Sequence, residues 1–152
     1  MALHFPSDHV DPLTLFDEPF YLATLPASAL AKSVKLRTRD LQGTDMLLLE
    51  EGHCLRDHAL EACKLGEKDV KVPYQATSLT TIVQMVANGI GTTLLPKMAI
   101  DAGITQGTEL VLRPFDEPDI SRKIGLMWRK KTPRKHEFTL LGAFIEECLS
   151  AR

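Results

Sequence analysis

Between Ser78 and Pro96 the chain writes out a helix and a buried strand back to back, SLTTIVQMVANGIGTTLLP, and this stretch limits the fold more than any other. Ser78 is a residue type that caps helix N-termini, because its hydroxyl can accept a bond from a first-turn N–H. Leu79, Ile82, Val83, Val86 and Ala87 then recur at the 3.6-residue spacing of one apolar face. Gly89 supplies the stop, since glycine accepts the left-handed backbone that ends helices. The run Gly91–Pro96 (GTTLLP) reads as a buried strand ended by proline.

The alternation extends along the chain. Leu13 to Thr24 (LTLFDEPFYLAT) reads as a strand interrupted at Pro19, which suits a bend or a sheet edge. Pro26 to Leu41 is mixed, with a short helical piece around Ala27 to Lys32. Asp45 to Glu50 (DMLLLE) reads as a short buried strand, ended by Glu51 and Gly52. A helix follows, with Leu55, Ala59, Ala62 and Cys63 on a small apolar face. Val70 to Thr77 returns to an extended pattern; Leu110 to Phe115 and Lys123 to Arg129 are two more strands. Phe138, Leu141, Ile145 and Leu149 mark a final amphipathic helix. Short strands alternating with helices predict an α/β fold with a largely parallel sheet. The first ten residues have no period and are expected to be a lead.

Composition narrows the function. The 152 residues hold one ordinary domain or two small lobes, and a 44% apolar fraction is enough for a core. A net charge of -2 argues against this segment gripping nucleic acid by itself, because phosphate binding needs a basic face. The basic run Arg129 to His136 (RKKTPRKH) reads as a solvated turn before the last helix. No apolar run is long enough to span a bilayer, and the N-terminus lacks the basic start and apolar stretch of a secretion signal. A cytoplasmic protein with no membrane partner is expected. Three cysteines make a poor structural disulfide set, so the thiols are reactive, metal-binding or simply buried.

Cys54 falls where a strand ends and a helix begins, near unpaired backbone N–H groups and the positive end of the helix dipole. His53 and Arg56 can add positive charge. Each favours thiolate, the nucleophilic form, over thiol; Asp57 opposes this unless it is paired with Arg56. Cys63 lies nine residues on. If both are helical, their Cα atoms stand about 13 Å apart. A disulfide needs them within roughly 4.4–6.8 Å. The two cannot bond while the helix is intact, so the pair is a candidate two-state switch rather than a static staple. This fits peroxide chemistry, in which a thiolate becomes a sulfenic acid and a second thiol condenses with it. Two blander readings stand beside it. Both cysteines can be inert core residues, and His53, Cys54, His58 and Cys63 can be imagined as a zinc site, although structural zinc prefers paired ligands at tight spacing from separate loops. Cys148 has no comparable setting and reads as a packing residue.

The segment GHCLRDHALEAC, Gly52 to Cys63, resembles the redox segment of the OxyR family of hydrogen-peroxide sensors, which are LysR-type transcriptional regulators. The spacing of its two cysteines matches that family. ATSLTTIVQMVANGIGTTLLP, Ala76 to Pro96, resembles the general effector-domain signature of LysR-type regulators, and LFDEPFYLAT and RKIGLMWRK resemble further OxyR segments. The likeness runs from about Pro12 to the C-terminus.

The resemblance implies an α/β effector domain like the periplasmic binding proteins, with one full lobe and the C-terminal part of the other. Residues 1–12 would be a lead, 13–24 and 121–152 the remainder of the first lobe, and 25–120 the second lobe with the redox cysteines. By that analogy Cys54 reacts with hydrogen peroxide and Cys63 resolves it. His53, Arg56, Asp57 and Arg129 frame the site, and Thr77 and Ser78 lie at the cleft between lobes. The family's winged helix-turn-helix and much of its first lobe are missing. DNA and RNA polymerase are therefore expected as partners only through a full-length protein, itself a dimer or tetramer. Uncovered apolar surface predicts self-association of this chain. No cofactor and no metal are expected. The rival function is a LysR-type domain holding a small organic anion in the cleft, with the start of the Ser78 helix suited to a carboxylate. An enzyme such as a thiol peroxidase is disfavoured, because no CxxC or recycling motif is present. A purely structural interaction module leaves GHCLRD unexplained.

Overall fold

The computed structural model describes residues 8–66 and 68–150. The chain divides into two compact units, one made of the residues up to Glu18 together with those from Arg122 onward, the other Pro19–Ser121.

One long strand, β1 (Val10–Thr24), runs through both units. It begins ahead of the expected Leu13, so Val10 to Pro12 belong to a strand rather than to a lead, while residues 1–7 lie outside those described. Pro19 does not interrupt it. That proline stands at the junction of the units, one residue before the first pairing to β4 (Thr93–Pro96), so its missing N–H takes no place in that ladder.

In the unit Pro19–Ser121, β1 pairs antiparallel with β4, Leu22 opposite Leu94, and with β5 (Val111–Pro114), Leu22 opposite Arg113. Parallel pairing appears between β2 (Leu48–Leu49) and β3 (Gln75–Ala76), with single parallel bridges at Asp45–Lys71 and Met46–Thr92. In place of the expected largely parallel sheet there are two: β2–β3 is parallel, and the longer β1 ladder with β4 and β5 is antiparallel. No residue pattern in a buried strand fixes its direction, because both kinds bury apolar runs.

The alternation of side chains along residues 46–49, the run that ends in β2, decides the layers. Met46 and Leu48 face a cluster with Ala59 and Cys63 of the following helix, α2 (Cys54–Ala62, Cys63 capping it). Leu47 and Leu49 face the other way, onto Ile82 and Val86 of α3 (Leu79–Ala87). Period-two alternation in the strand and the apolar stripes of two helices therefore produce a helix–sheet–helix sandwich. Ala23 and Leu95 extend the α3 side through Val83, and Phe20, Leu22 and Leu94 the α2 side.

Gly89 has φ +82 and ends α3 as its position predicts. Gly91 is required by space: a Cβ there would lie 2.6 Å from the carbonyl oxygen of Asp45, the contact that joins β2 to the chain entering β4. A short α1 (Ala29–Lys32) matches the expected helical piece, and α4 (Lys97–Asp101) is an element the sequence pattern does not announce, starting directly after Pro96.

In the other unit, β6 (Ser121–Arg129) pairs with β1, and α5 (Lys135–Ser150) closes the chain. Glu18 is 1% exposed and is neutralised by Arg122 at 2.7 Å, as a buried carboxylate requires. Trp128 stacks on Phe138 with ring centroids 5.7 Å apart. The basic run is a turn and helix start, with Arg134 bound to Glu137 and Lys135 to Asp11. The inward face of α5 carries Phe138, Gly142 and Ile145. Leu141 and Leu149, expected on that face, are exposed with Leu140 and Phe144, so the buried stripe is rotated from the one the apolar residues suggest. Cys148 is exposed too and is no packing residue.

Candidate functional site

Helix α2 starts because the chain leaves β2 through Glu50 to Gly52 and turns at His53, whose φ -83 and ψ 110 are the extended geometry of an N-cap. The amide of Arg56 donates to the carbonyl of His53 at 2.9 Å, closing the first turn. His53 makes no side-chain cap bond, as its ring is not among the side chains that reach back to the first-turn amides. Cys54 is the first helical residue and is exposed.

The two charged residues that follow point opposite ways. Arg56 is 4% exposed, and its Nη1 donates to the carbonyl of Leu49 at 3.4 Å, tying the first turn of α2 to the end of β2. Asp57 is exposed in the same turn, where an acidic group suits the helix dipole. His58 is 5% exposed.

At the other end, Cys63 is the C-cap, with right-handed backbone and an amide that donates to the carbonyl of Ala59 at 3.2 Å. It is 1% exposed, packed among Leu36, Leu41, Met46, Leu48, Leu65 and Val70. Burial pushes its thiol up from 9.0 to about 12, and the carboxylate of Glu117 adds to the shift. Glu117 is held by Thr38, accepting from its amide at 2.7 Å and from its hydroxyl at 3.1 Å. Nothing in the sequence near Cys63 points to Glu117, which comes from the far end of the unit.

The three cysteines are free thiols. Cys54 and Cys63 occupy the two ends of one helix, so their backbones are separated by about 13 Å of helical rise. Among the described residues no group of three His, Cys, Asp or Glu side chains is placed to hold a metal ion, and the imagined zinc cluster is not assembled.

Thr77 is exposed and Ser78 half-buried at the start of α3. Ser78 has the extended N-cap backbone, φ -128 and ψ 132, but its hydroxyl makes no cap bond. Arg129 belongs to the other unit, exposed at the end of β6, where it lines a pocket with Trp128, Lys131 and Phe138. No described helix is long and apolar enough to cross a membrane.

Comparison with known proteins gives a consistent answer. The family model for the LysR substrate binding domain matches residues 1–151. A probable hydrogen peroxide-inducible genes activator of Streptomyces viridosporus is 38% identical over 138 residues, covering 90% of this chain and 44% of that protein. The DNA-binding transcriptional dual regulator OxyR of Escherichia coli is 36% identical over 145 residues, covering 95% of this chain and 47% of that protein. The reduced regulatory domain of OxyR2 from Vibrio vulnificus superposes with a TM-score of 0.82 at 39% identity, over 96% of this chain and 68% of that one. The chain spans about half the length of the curated relatives it matches.

Proposed function

The chain belongs to the LysR substrate-binding domain family and has the mixed α/β fold of OxyR regulatory domains; from that premise we propose that it is the hydrogen-peroxide-sensing part of a transcription regulator, with Cys54 and Cys63 as its redox pair. One observation carries the reading. A single helix begins on an exposed cysteine and ends on a buried one.

The chemistry follows from that placement. The Cys54 thiolate attacks one peroxide oxygen, the O–O bond breaks, and hydroxide leaves, taking up a proton to become water. The Cys54 sulfenic acid then meets the Cys63 thiol: an S–S bond forms, the S–O bond breaks, and water leaves. The second step requires the ends of α2 to meet, which the intact helix forbids. Oxidation therefore replaces α2 with another arrangement, and that change is the signal. A dithiol reverses it.

His53 and Asp57 stand beside Cys54 in sequence, and Arg56 anchors its turn; Arg129 is assigned to the same environment by the resemblance alone. The unit Pro19–Ser121 serves as the redox lobe. DNA and RNA polymerase are reached through the whole regulator, which works as an oligomer. The exposed Leu140, Leu141 and Phe144 of α5 support self-association of this chain. Light scattering then reports a mass above that of one chain, and Phe144→Glu lowers it. The relatives bear the names of regulators, which supports a regulatory rather than an enzymatic role.

The test is a peroxide titration of the reduced protein with non-reducing peptide mapping. A Cys54–Cys63 bond at low peroxide, reversed by dithiol, is expected. A Cys54 that stays a thiol, or that oxidises no faster than Cys148, refutes the proposal. The rival reading draws on Ser78, whose hydroxyl leaves its own helix uncapped; binding of small carboxylates that is lost in Ser78→Ala would favour it.

A further inference from the structure

Directly after Cys63, the C-cap of α2, stands a lysine in a backbone state that is otherwise given to glycine among the described residues. The Leu65 amide donates to the carbonyl of Leu60 at 2.9 Å, and the Lys64 amide to that of Glu61 at 2.9 Å. This pair of bonds is the Schellman close, which demands left-handed backbone at the position of Lys64. Lys64 complies with φ +52 and is the one non-glycine residue with positive φ among the described residues. Gly43, Gly52, Gly89, Gly103 and Gly107 are the others with positive φ. A side chain in that conformation crowds its Cβ against the following carbonyl. The lysine side chain is exposed, so it gains no packing in return. The crowding sits on the residue directly after Cys63. Beyond it the chain is re-anchored by buried Leu65 and by the Gly66 amide, which donates to Asp69 Oδ2 at 2.7 Å.

We infer that Lys64 is a positioning residue that sets how readily the Cys63 end of α2 opens, and hence how far the thiol–disulfide balance leans to disulfide. This rests on the peroxide-switch reading above. In the thiol form residue 64 is held left-handed. When Cys63 leaves the core to meet Cys54, the Schellman bonds break and residue 64 returns to ordinary backbone. Strain present in one form and absent from the other favours the second. A residue at ease in the left-handed region removes that bias and makes the thiol form harder to leave.

Lys64→Asn and Lys64→Gln separate this from the loss of charge. Both replace the ammonium with an amide, but asparagine visits the left-handed region readily and glutamine does not. Each variant and the parent are equilibrated with reduced and oxidised dithiothreitol, which exchange two protein thiols for one disulfide without other reactants. Lys64→Asn is expected to need about a three- to tenfold higher oxidised-to-reduced ratio than Lys64→Gln for half-formation of the Cys54–Cys63 bond. Trapping of the Cys54 sulfenic acid by dimedone, in a Cys63→Ser background, should proceed at one rate in all three, because Lys64 acts only on the second step. Coincident midpoints for Asn and Gln, with the bond formed in both, overturn the role of Lys64 and leave the peroxide reading standing. So does a dimedone rate that moves in parallel with the midpoint. If the parent never forms the bond, the peroxide reading fails and this inference falls with it.

Discussion

The two ends of α2 present the same side chain to opposite surroundings. At the first residue Cys54 is exposed, beside backbone amides that a helix start leaves unbonded. At the last turn Cys63 is 1% exposed, wrapped in aliphatic side chains, with Glu117 in its field and its thiol pushed up to about 12. The first end is open to a small oxidant; the second holds its sulfur protonated and hidden. Under the proposed peroxide chemistry, the contrast sets an order of events. A thiol that must leave the core before it can react cannot be the first target, and one already at the surface has no need of the helix opening. On that proposal, the order of reaction is set by position along one helix.

The largest test of this contrast is alkylation of the reduced protein near pH 7.5. A thiol titrating near 12 has roughly four orders of magnitude more thiol than thiolate at that pH. Iodoacetamide should therefore label exposed Cys54 far faster than Cys63, as read by mass spectrometry of the peptides. Comparable rates would break the comparison outright. Adding denaturant should raise the Cys63 rate far more than that of Cys54.

A second test uses pH. The unfolded Cys63 thiol ionises near 9.0 and the native one near 12, so between these values the unfolded state has lost a proton that the native state keeps. Stability contributed by the neutral thiol is fully present below about pH 9 and falls as pH rises toward 12. The slope is about 1.4 kcal/mol per pH unit. Urea melts at pH 8 and 10, parent against Cys63→Ala, should show an excess loss in the parent of about 1 kcal/mol. Parallel curves would remove Cys63 from its apolar setting.

The third and smallest probe concerns the Cys54 end. Arg56→Met keeps much of the buried stem but takes the donor from the Leu49 carbonyl. It should cost about 0.5–1 kcal/mol and loosen the first turn of α2, read as faster amide exchange there than at the Cys63 end. An unchanged melt would show that the bond at 3.4 Å holds nothing.

Much of this was legible in the residues, for reasons that also explain the failures. The α3 stripe, its Ser78 start and its Gly89 stop are local patterns with a fixed period, and the structure follows them. The motif Gly52 to Cys63 announced the helix, its start at Cys54 and the burial of Cys63, which shares a face with Ala59; the exposure of Cys54 is added by the structure. Strand direction was not legible, because β1 reads the same whichever way its neighbours run. Pro19 misled as a break because its place at a change of pairing partners depends on residues far away in sequence. The rotated face of α5 turns on Gly142, buried without being apolar in any scale that counts side chains. Lys64 carries no sign of its left-handed backbone; the absence of a glycine directly after a helix that must end is the only hint. Glu117 reaches Cys63 through tertiary packing alone.

Whether α2 gives way when its cysteines join is decided by amide hydrogen exchange across the helix, measured in the thiol form and again after peroxide. Slow exchange from Asp57 to Ala62 is expected in the reduced protein, with loss of that protection once the Cys54–Cys63 bond is mapped in the same sample. A disulfide between these cysteines with the protection of α2 unchanged would contradict it.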